Sequence, residues 1–599
     1  MRGRRVVDYE PRAEKKAVGG EFSDRIGLGA AGGAHPLQNA QRMGHPRDLL
    51  RLDTSRRSDW NDVASQFRSL KAEAAAIVIA LVMVSFFCGS AGAQVTPQRL
   101  LESAKEPQNW LMYSGDYAGH RHSVLDQINV ENAKSLVPEW AYQTMAGGKF
   151  ETTSLVVDGV LYGTGQDDRA YALDAKSGRP IWQYQRALPA DIRPCCGRVN
   201  RGLAILGDKV FMGTLDAHVI ALDAKTGNVV WDVTAVDYRG GYSFTLAPLA
   251  IKNLVILGVS GGEYGIRGFI DAYDAATGER KWRFYTTPGP GEPGHDTWEG
   301  DSWKIGGAPA WITGTFDPAT NTTFWTTGNP SPSNRGIGRA GDNLYSNTLL
   351  ALDPDTGKLK WHFQFTKHDD HDYDATQVPV MIDDGDRHLI VQANRNGFFY
   401  VIDRGTGKLL SSRAYAKVTW SKSKDAEGRP VADQSGNPAP EGARACPGAA
   451  GATNWMSPTY DPQTKLFYVT AREQCDVFST APQAFEKGHA YYGSAYFPND
   501  DAAPFWGALR ALDPRSGEMK WEWKHPSPTW AGVLSTAGGL VFSGDAEGNF
   551  MAFEAASGKI LWHFQCGASV YSSPMTFAVD GKQYVAVGAG SALFAFALP

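Results

Sequence analysis

The 599-residue chain sets 59 Lys and Arg against 64 Asp and Glu, a net charge of -5 without a basic patch, which excludes nucleic acid as a partner. Aromatic residues make up 11% of it, with 18 Trp and 66 Gly, a balance suited to a turn-rich β protein with flat binding surfaces. Length alone does not set the domain count, because all-β architectures run long as single units.

Residues 1–70 are polar and lack periodicity. From Ala74 to Phe87 runs an apolar stretch too short for a comfortable membrane span, followed by Ser90-Ala91-Gly92-Ala93, a small-residue cleavage pattern. Arg68 and Lys71 form a charged lead-in, weakened by Glu73, and Cys88 after two phenylalanines makes a poor lipobox. Residues 71–93 are therefore predicted to be a secretory signal cut after Ala93. Residues 1–70 then read as an extension from a start site set too early, and 94–599 as a periplasmic domain with no stable membrane insertion. A cytoplasmic tail with an uncleaved anchor is the alternative.

Export would leave Cys195, Cys196, Cys446, Cys475 and Cys566 where disulfides persist. Cys446 and Cys475 bracket one long insertion and are predicted to pair, leaving Cys566 single and buried. The adjacent Cys195 and Cys196, in RPCCGRVNRG, are ambiguous by themselves. Joined, their Cα atoms about 3.8 Å apart would close a bridge that normally spans about 4.4–6.8 Å, a strained ring of the kind kept at functional sites. Unjoined, they are unrelated thiols or pair elsewhere. No Cys-x-x-Cys-His occurs, so no covalently attached c-type haem is predicted.

One pattern recurs along the chain: ALDAKSGRPIW to Trp182, ALDAKTGNVVW to Trp231, AYDAATGERKW to Trp282, ALDPDTGKLKW to Trp361, ALDPRSGEMKW to Trp521 and AFEAASGKILW to Trp562. VIDRGTGKLLS, from Val401 to Ser411, is a copy without its Trp. Each reads as a strand ending in an acid, a tight turn closed by Gly, and a second strand reaching Trp. Neighbouring spacings of about 50 residues fit one four-stranded blade each. TFDPATNTTFW and TYDPQTKLFYV occupy the wider gaps as diverged blades, and the two chain ends share a closing blade, giving about eight. The predicted fold class is all-β, an eight-bladed β-propeller whose Trp and Gly residues serve packing and turns.

Off the repeats stand NWLMYSGDYAGHRHSVLDQINVENAKSLVPEW, CCGRVNRG, SGGE at 260–263, TGNP at 327–330, HDYD at 371–374, NRNG at 394–397, ATNW at 452–455 and TWAG at 529–532. Their order resembles the pyrroloquinoline quinone (PQQ) dependent alcohol and methanol dehydrogenases, in the single-domain, haem-free form, from about Trp110 to Pro599. The resemblance implies PQQ, a flat tricarboxylated quinone that needs apolar lids, donors for its carboxylates and a cation on its carbonyl. It implies that Trp311 stacks on one face and that a Cys195–Cys196 disulfide covers the other. Glu151, Arg201, Thr245, Ser260, Gly261, Gly262, Asn454 and Trp530 match further cofactor contacts. Glu263 and Asn329 match metal ligands, hard oxygen donors suited to Ca2+ or a similar ion. Asp372 matches the catalytic base and Arg395 its charge-stabilising partner on the quinone oxygens.

Asp374, two residues beyond the base, resembles the lanthanide-using subgroup. Along an extended segment it falls on the same side as Asp372, so both carboxylates face one cation. A transition-metal site on His368 and His371 is the rival reading of HDDHDYD. Three departures from the family are Pro309 where a Thr is common, Ser333 near a usual pocket Trp, and a C-terminus without Gly-Gly-Trp. A small residue at 333 leans towards alcohols larger than methanol. The implied activity is oxidation of primary alcohols to aldehydes, with electrons passed to a soluble cytochrome c; a homodimer is left open. The competing class is a non-catalytic propeller scaffold of the outer-membrane assembly type, and a sugar quinoprotein is a third reading.

Overall fold

The turns of five of the repeat copies are built by their own aspartates. Asp174 Oδ1 accepts from the backbone N–H and hydroxyl of Ser177, and Asp223, Asp274, Asp353 and Asp403 do the same for Thr226, Thr277, Thr356 and Thr406. The glycine after each Ser or Thr turns the chain into the second strand, with φ near +70° at Gly178 and +73° at Gly227, where a side chain is strained. That glycine has a second duty. A methyl at Gly227 would lie 2.6 Å from the Trp182 ring of the preceding copy, and one at Gly357 would lie 2.5 Å from Trp282. The same indoles donate across the gap, Trp182 to the Ala224 carbonyl at 2.9 Å and Trp282 to Pro354 at 2.8 Å. Each Trp–Gly pair is thus the joint between one sheet and the next.

The computed structural model describes residues 94–145, 147, 149–498 and 504–599, so the readings for 1–93 lie outside the described residues. Among the described residues, eight sheets each contain a four-stranded antiparallel meander. The chain ends do share one of them: Val137–Gln143 pairs with Ala592–Ala597, which continues the hairpin of Met575–Val579 and Lys582–Ala589. Trp562 of the last copy donates to the Leu136 carbonyl at 3.0 Å, tying the end of the series to its beginning.

TFDPATNTTFW and TYDPQTKLFYV are not separate blades. Thr315–Asp317 and Thr322–Thr326 lie in one sheet with Thr348–Leu352 and Leu359–Gln364, and Thr459–Asp461 and Leu466–Glu473 lie with Trp506–Leu512 and Met519–His525. An acid-turn signal marks any tight hairpin, so it does not distinguish the first pair of strands in a sheet from the second. The extra length goes instead into loops and two small added sheets, one of them Ala443–Ala445, Asp476–Thr480 and Ser494–Pro498. The Cys446–Cys475 disulfide, S–S 2.08 Å, staples this insertion as expected. Cys566 is partly exposed rather than buried, because it follows the end of the strand Ile560–Gln565.

The joint gives a test. Gly227→Val adds a branched side chain at positive φ and against Trp182, and is expected to cost about 2–5 kcal/mol. The exposed Lys225→Ala in the same turn should change stability by less than about 0.5 kcal/mol. Thermal or denaturant melts followed by circular dichroism compare the two, and a Gly227→Val chain that melts with the wild type contradicts the joint.

Candidate functional site

Arg395 occupies the turn between the strands Arg387–Ala393 and Phe398–Asp403. The flanking asparagines of NRNG make that turn, the Asn394 Oδ1 accepting from the Asn396 N–H at 3.0 Å and the Asn396 Oδ1 from the Phe398 N–H at 3.1 Å. The side chain then runs past Gly451, where a methyl would come within 2.1 Å of Arg395 Cγ. Its guanidinium forks onto two acids, Nη1 to Asp374 Oδ2 at 2.6 Å and Nη2 to Asp372 Oδ2 at 2.8 Å, while Nε donates to the Ala449 carbonyl at 2.8 Å.

The two aspartates converge because their loop is curled. Asp369 accepts the His371 N–H on Oδ1 at 3.0 Å and the Tyr373 N–H on Oδ2 at 2.7 Å, and Asp372 has a φ of +62°. No strand runs through Asp372–Asp374, so the expected alternation is not what brings them together. Asp374 Oδ1 also accepts the Asn329 N–H at 2.6 Å. It fits only because residue 328 is Gly: a methyl there would lie 2.0 Å from that oxygen. Glu263 arrives on the SGGE turn, where Gly261 has a φ of +117° and a methyl at Gly262 would lie 2.8 Å from Asn329 Oδ1.

Carboxylate oxygens of Glu263, Asp372 and Asp374 lie within 4.8 Å of one another. Burial pushes the Asp372 pKa well above the usual carboxylate range and that of Asp374 up to about 7, against the pull of Arg395; the charge of Glu263 adds to both rises. Burial also works against the charge on Arg395, but Asp372 and Asp374 outweigh it and hold the guanidinium pKa above its ordinary value. Among the described residues, Asn329 Oδ1 and Asp372 Oδ1 are buried without a protein partner. An orphaned buried acceptor costs about 1–3 kcal/mol. A hard cation relieves both the orphans and the repulsion, and the donor set, carboxylates and an amide oxygen, fits one.

Beside this cluster opens a pocket lined by Cys195, Cys196, Gly261, Glu263, Trp311, Asp372, Asp374, Arg395 and Asn454. Its polar wall is a relay: Glu151 pairs with Arg201 at 2.7 Å, Arg201 Nη1 donates to Thr245 Oγ1 at 2.9 Å, and that hydroxyl lies 2.8 Å from Ser260 Oγ. The Arg201 guanidinium carbon sits 4.8 Å from the Trp311 ring centre, and its Nε has no partner among the described residues. An apolar ring beside a buried cation with spare donor capacity fits a flat polycarboxylate.

Several expectations need correction. The Cys195 and Cys196 sulfurs lie 2.6 Å apart at the pocket wall, nearer than two unbonded sulfurs pack and farther than a closed bridge. Trp530 does not line the pocket; it stacks on Trp455, which does, at 4.3 Å and 3°. Gly262 and the fully buried Ser333 are not among the residues that line the pocket. The two histidines build no common site: His371 Nε2 lies 2.7 Å from the Gly436 carbonyl and His368 Nδ1 lies 2.8 Å from that of Gly341. Tyr492 and Tyr496 complete the pocket from the stapled insertion. Sequence reasoning missed them, for no local motif marks them, whereas Trp455 was within reach as the last residue of ATNW.

A family model described as "PQQ: Glucose/ethanol/alcohol dehydrogenase, beta-propeller domain" matches residues 110–431 and 524–585. The quinoprotein alcohol dehydrogenase PedH of Pseudomonas putida is 41% identical over 535 residues, covering 84% of this chain and 89% of that one. The lanthanide-dependent methanol dehydrogenase of Methylacidiphilum fumariolicum is 35% identical over 538 residues, covering 84% and 88%. The solved structure of a europium-containing methanol dehydrogenase superposes with a TM-score of 0.80 at 33% identity, over 84% of this chain and all of that one. Fold and site together define a β-propeller quinoprotein. The chain belongs to the PQQ-dependent alcohol dehydrogenase family, and alcohol oxidation with that quinone is its activity.

The contact at Gly328 makes the cluster testable without touching a charge. Gly328→Ala should weaken binding of a lanthanide ion at least tenfold, about 1.4 kcal/mol, with the far-ultraviolet spectrum unchanged. Terbium luminescence titration measures it, and wild-type affinity in the variant contradicts the packing of Asp374 against residue 328.

Proposed function

We propose that this chain is an exported, haem-free, eight-bladed quinoprotein that oxidises primary alcohols to aldehydes with a lanthanide ion and passes the electrons to a soluble cytochrome c in the periplasm. The observation that carries the metal assignment is the third carboxylate: Glu263, Asp372 and Asp374 within 4.8 Å of one another, with Arg395 the cation bonded to both aspartates. A trivalent ion gains more from the third anion than a divalent one does. The resemblance to a lanthanide-dependent enzyme and to a europium-containing structure supports the same choice.

The cation would be held by Glu263, Asn329 Oδ1, Asp372 and Asp374. PQQ would be held in the pocket by Trp311, the Cys195–Cys196 pair, Arg201, Thr245, Ser260 and Asn454, the ring and sulfurs suiting a flat body and the polar groups its carboxylates. When bound, the quinone supplies the two-electron acceptor for the hydride leaving the alcohol carbon. The chain supplies the proton chemistry. Arg395 occupies Asp372 Oδ2, so Oδ1, with one lone pair for the cation and another for a proton, is the oxygen that takes the hydroxyl proton. The same guanidinium stabilises negative charge that develops beside it. Tyr492 and Tyr496 offer aromatic surface at the mouth, suited to an alcohol with an apolar tail longer than a methyl group.

Calcium is the second reading, favoured by one observation: both oxygens of Asp374 are already engaged, Oδ1 by the Asn329 N–H and Oδ2 by Arg395. Metal reconstitution separates the two. A light lanthanide should give at least about tenfold more turnover than Ca2+, worth about 1.4 kcal/mol in the barrier. Asp374→Ala should lose most of that preference, whereas Asp372→Asn should lose turnover with every metal. Wild-type activity equal or greater with Ca2+ would make Asp374 a structural acid. Export is checked by intact mass of the periplasmic protein, which should begin at Gln94; retention of residues 1–93 contradicts cleavage.

A further inference from the structure

Glu263 belongs to two clusters. Its carboxylate lies within 4.8 Å of Asp372 and Asp374, and a carboxylate oxygen also lies within 4.8 Å of the sulfurs of Cys195 and Cys196. The first cluster offers only hard oxygen donors. The second offers two soft sulfurs and one oxygen, a set that suits a thiophilic divalent ion and not calcium or a lanthanide.

We infer that the dithiol form of this protein holds a soft divalent cation, such as Cd2+ or Zn2+, between Cys195 Sγ, Cys196 Sγ and Glu263, and that filling this site draws Glu263 away from the oxygen cluster. The second half rests on the reading of Glu263 as a ligand of the catalytic cation. Once the pair is reduced, a chelate closes a wider ring than the bridge does. Consecutive Cα atoms about 3.8 Å apart are too close for an unstrained disulfide. An ion inserted between the sulfurs enlarges the ring by one atom and lets them part from 2.6 Å to about 3.8 Å, the edge of a tetrahedron with metal–sulfur bonds of about 2.3 Å. Cys195 is buried beside Glu263 while Cys196 is exposed, so the site has an anchored ligand and an open side for entry.

The site is gated by oxidation. In an oxidising compartment the two sulfurs can form a bridge, which has no thiolate to offer. An external dithiol restores the site by delivering two electrons and two protons to that bridge, becoming a disulfide itself. Metal binding then releases the two thiol protons to solvent. Soft metals should therefore inhibit the reduced enzyme and spare the oxidised one.

The test uses the full chain loaded with Tb3+, either oxidised or treated with dithiothreitol and desalted, titrated with Cd2+. The thiolate-to-cadmium absorbance should rise to one ion per reduced chain and be absent from the oxidised chain. Terbium luminescence should fall in step. Cys195→Ser and Cys196→Ser should each abolish the absorbance, and Glu263→Gln should keep it with at least tenfold weaker binding. Absorbance that persists in the Cys195→Ser/Cys196→Ser double variant would place the sulfurs at Cys446, Cys475 or Cys566 and overturn the site. Wild-type Cd2+ affinity in Glu263→Gln, or Tb3+ retained at full Cd2+ occupancy, would overturn the shared ligand. A chain that binds Cd2+ as described but never takes up Tb3+ supports the sulfur site and fails the catalytic-cation reading instead.

Discussion

The site depends on one buried arginine. Arg395 bonds Asp372 through one nitrogen and Asp374 through the other, and anchors to the Ala449 carbonyl through Nε. Without it, three carboxylates would share a buried corner. Removing one partner of such a pair costs about 3–5 kcal/mol because it strands the other charge. Keeping it leaves the cluster short of positive charge, which is the condition under which a cation is bound rather than tolerated. The arginine thus places the acids, fixes which oxygen of Asp372 is free, and leaves a deficit that a metal ion makes up.

The scaffold makes that geometry repeatable through a plain device. Trp182, Trp231, Trp282 and Trp521 each cross to the next sheet, pack on a glycine and donate to a carbonyl of the adjoining turn, as Trp231 does to Ala275 and Trp521 to Ala555. Successive sheets are then held at a fixed offset. Loops inside the sheets carry Glu263, Asn329 and Arg395, and a loop between two sheets carries the Asp372–Asp374 pair, from four different places in the sequence to one point. Glycines at 261, 262, 328 and 451 are the places where backbone or side chains approach too closely for a methyl.

Much of this was legible in the chain. The repeats marked strand and turn together, because an acid-turn-Gly unit has one physical use, and marked the Trp for packing; which glycine it packs on came from the structure. The cluster Glu263, Asp372, Asp374 and Arg395 followed from ordered motifs that resemble a known family. Other parts were not legible. TFDPATNTTFW was misplaced because a hairpin signal does not say which pair of strands it joins. Tyr492 and Tyr496 come from an insertion whose position depends on a disulfide and on packing across the pocket, neither of which leaves a periodic trace. Asp372 and Asp374 did converge, but through the Asp369-capped loop rather than by strand alternation.

Asp374 is where the account stands or falls, since its oxygens serve Arg395 and the Asn329 N–H and are also asked to meet a cation. A carboxylate oxygen has lone pairs enough for both. Anomalous diffraction from a crystal of this protein grown with PQQ and a lanthanide decides the matter directly. The account predicts one strong peak with oxygens of Glu263, Asn329, Asp372 and Asp374 all at about 2.3–2.6 Å. A peak ligated without Asp374, its carboxylate still held only by Arg395 and the Asn329 N–H, would contradict it.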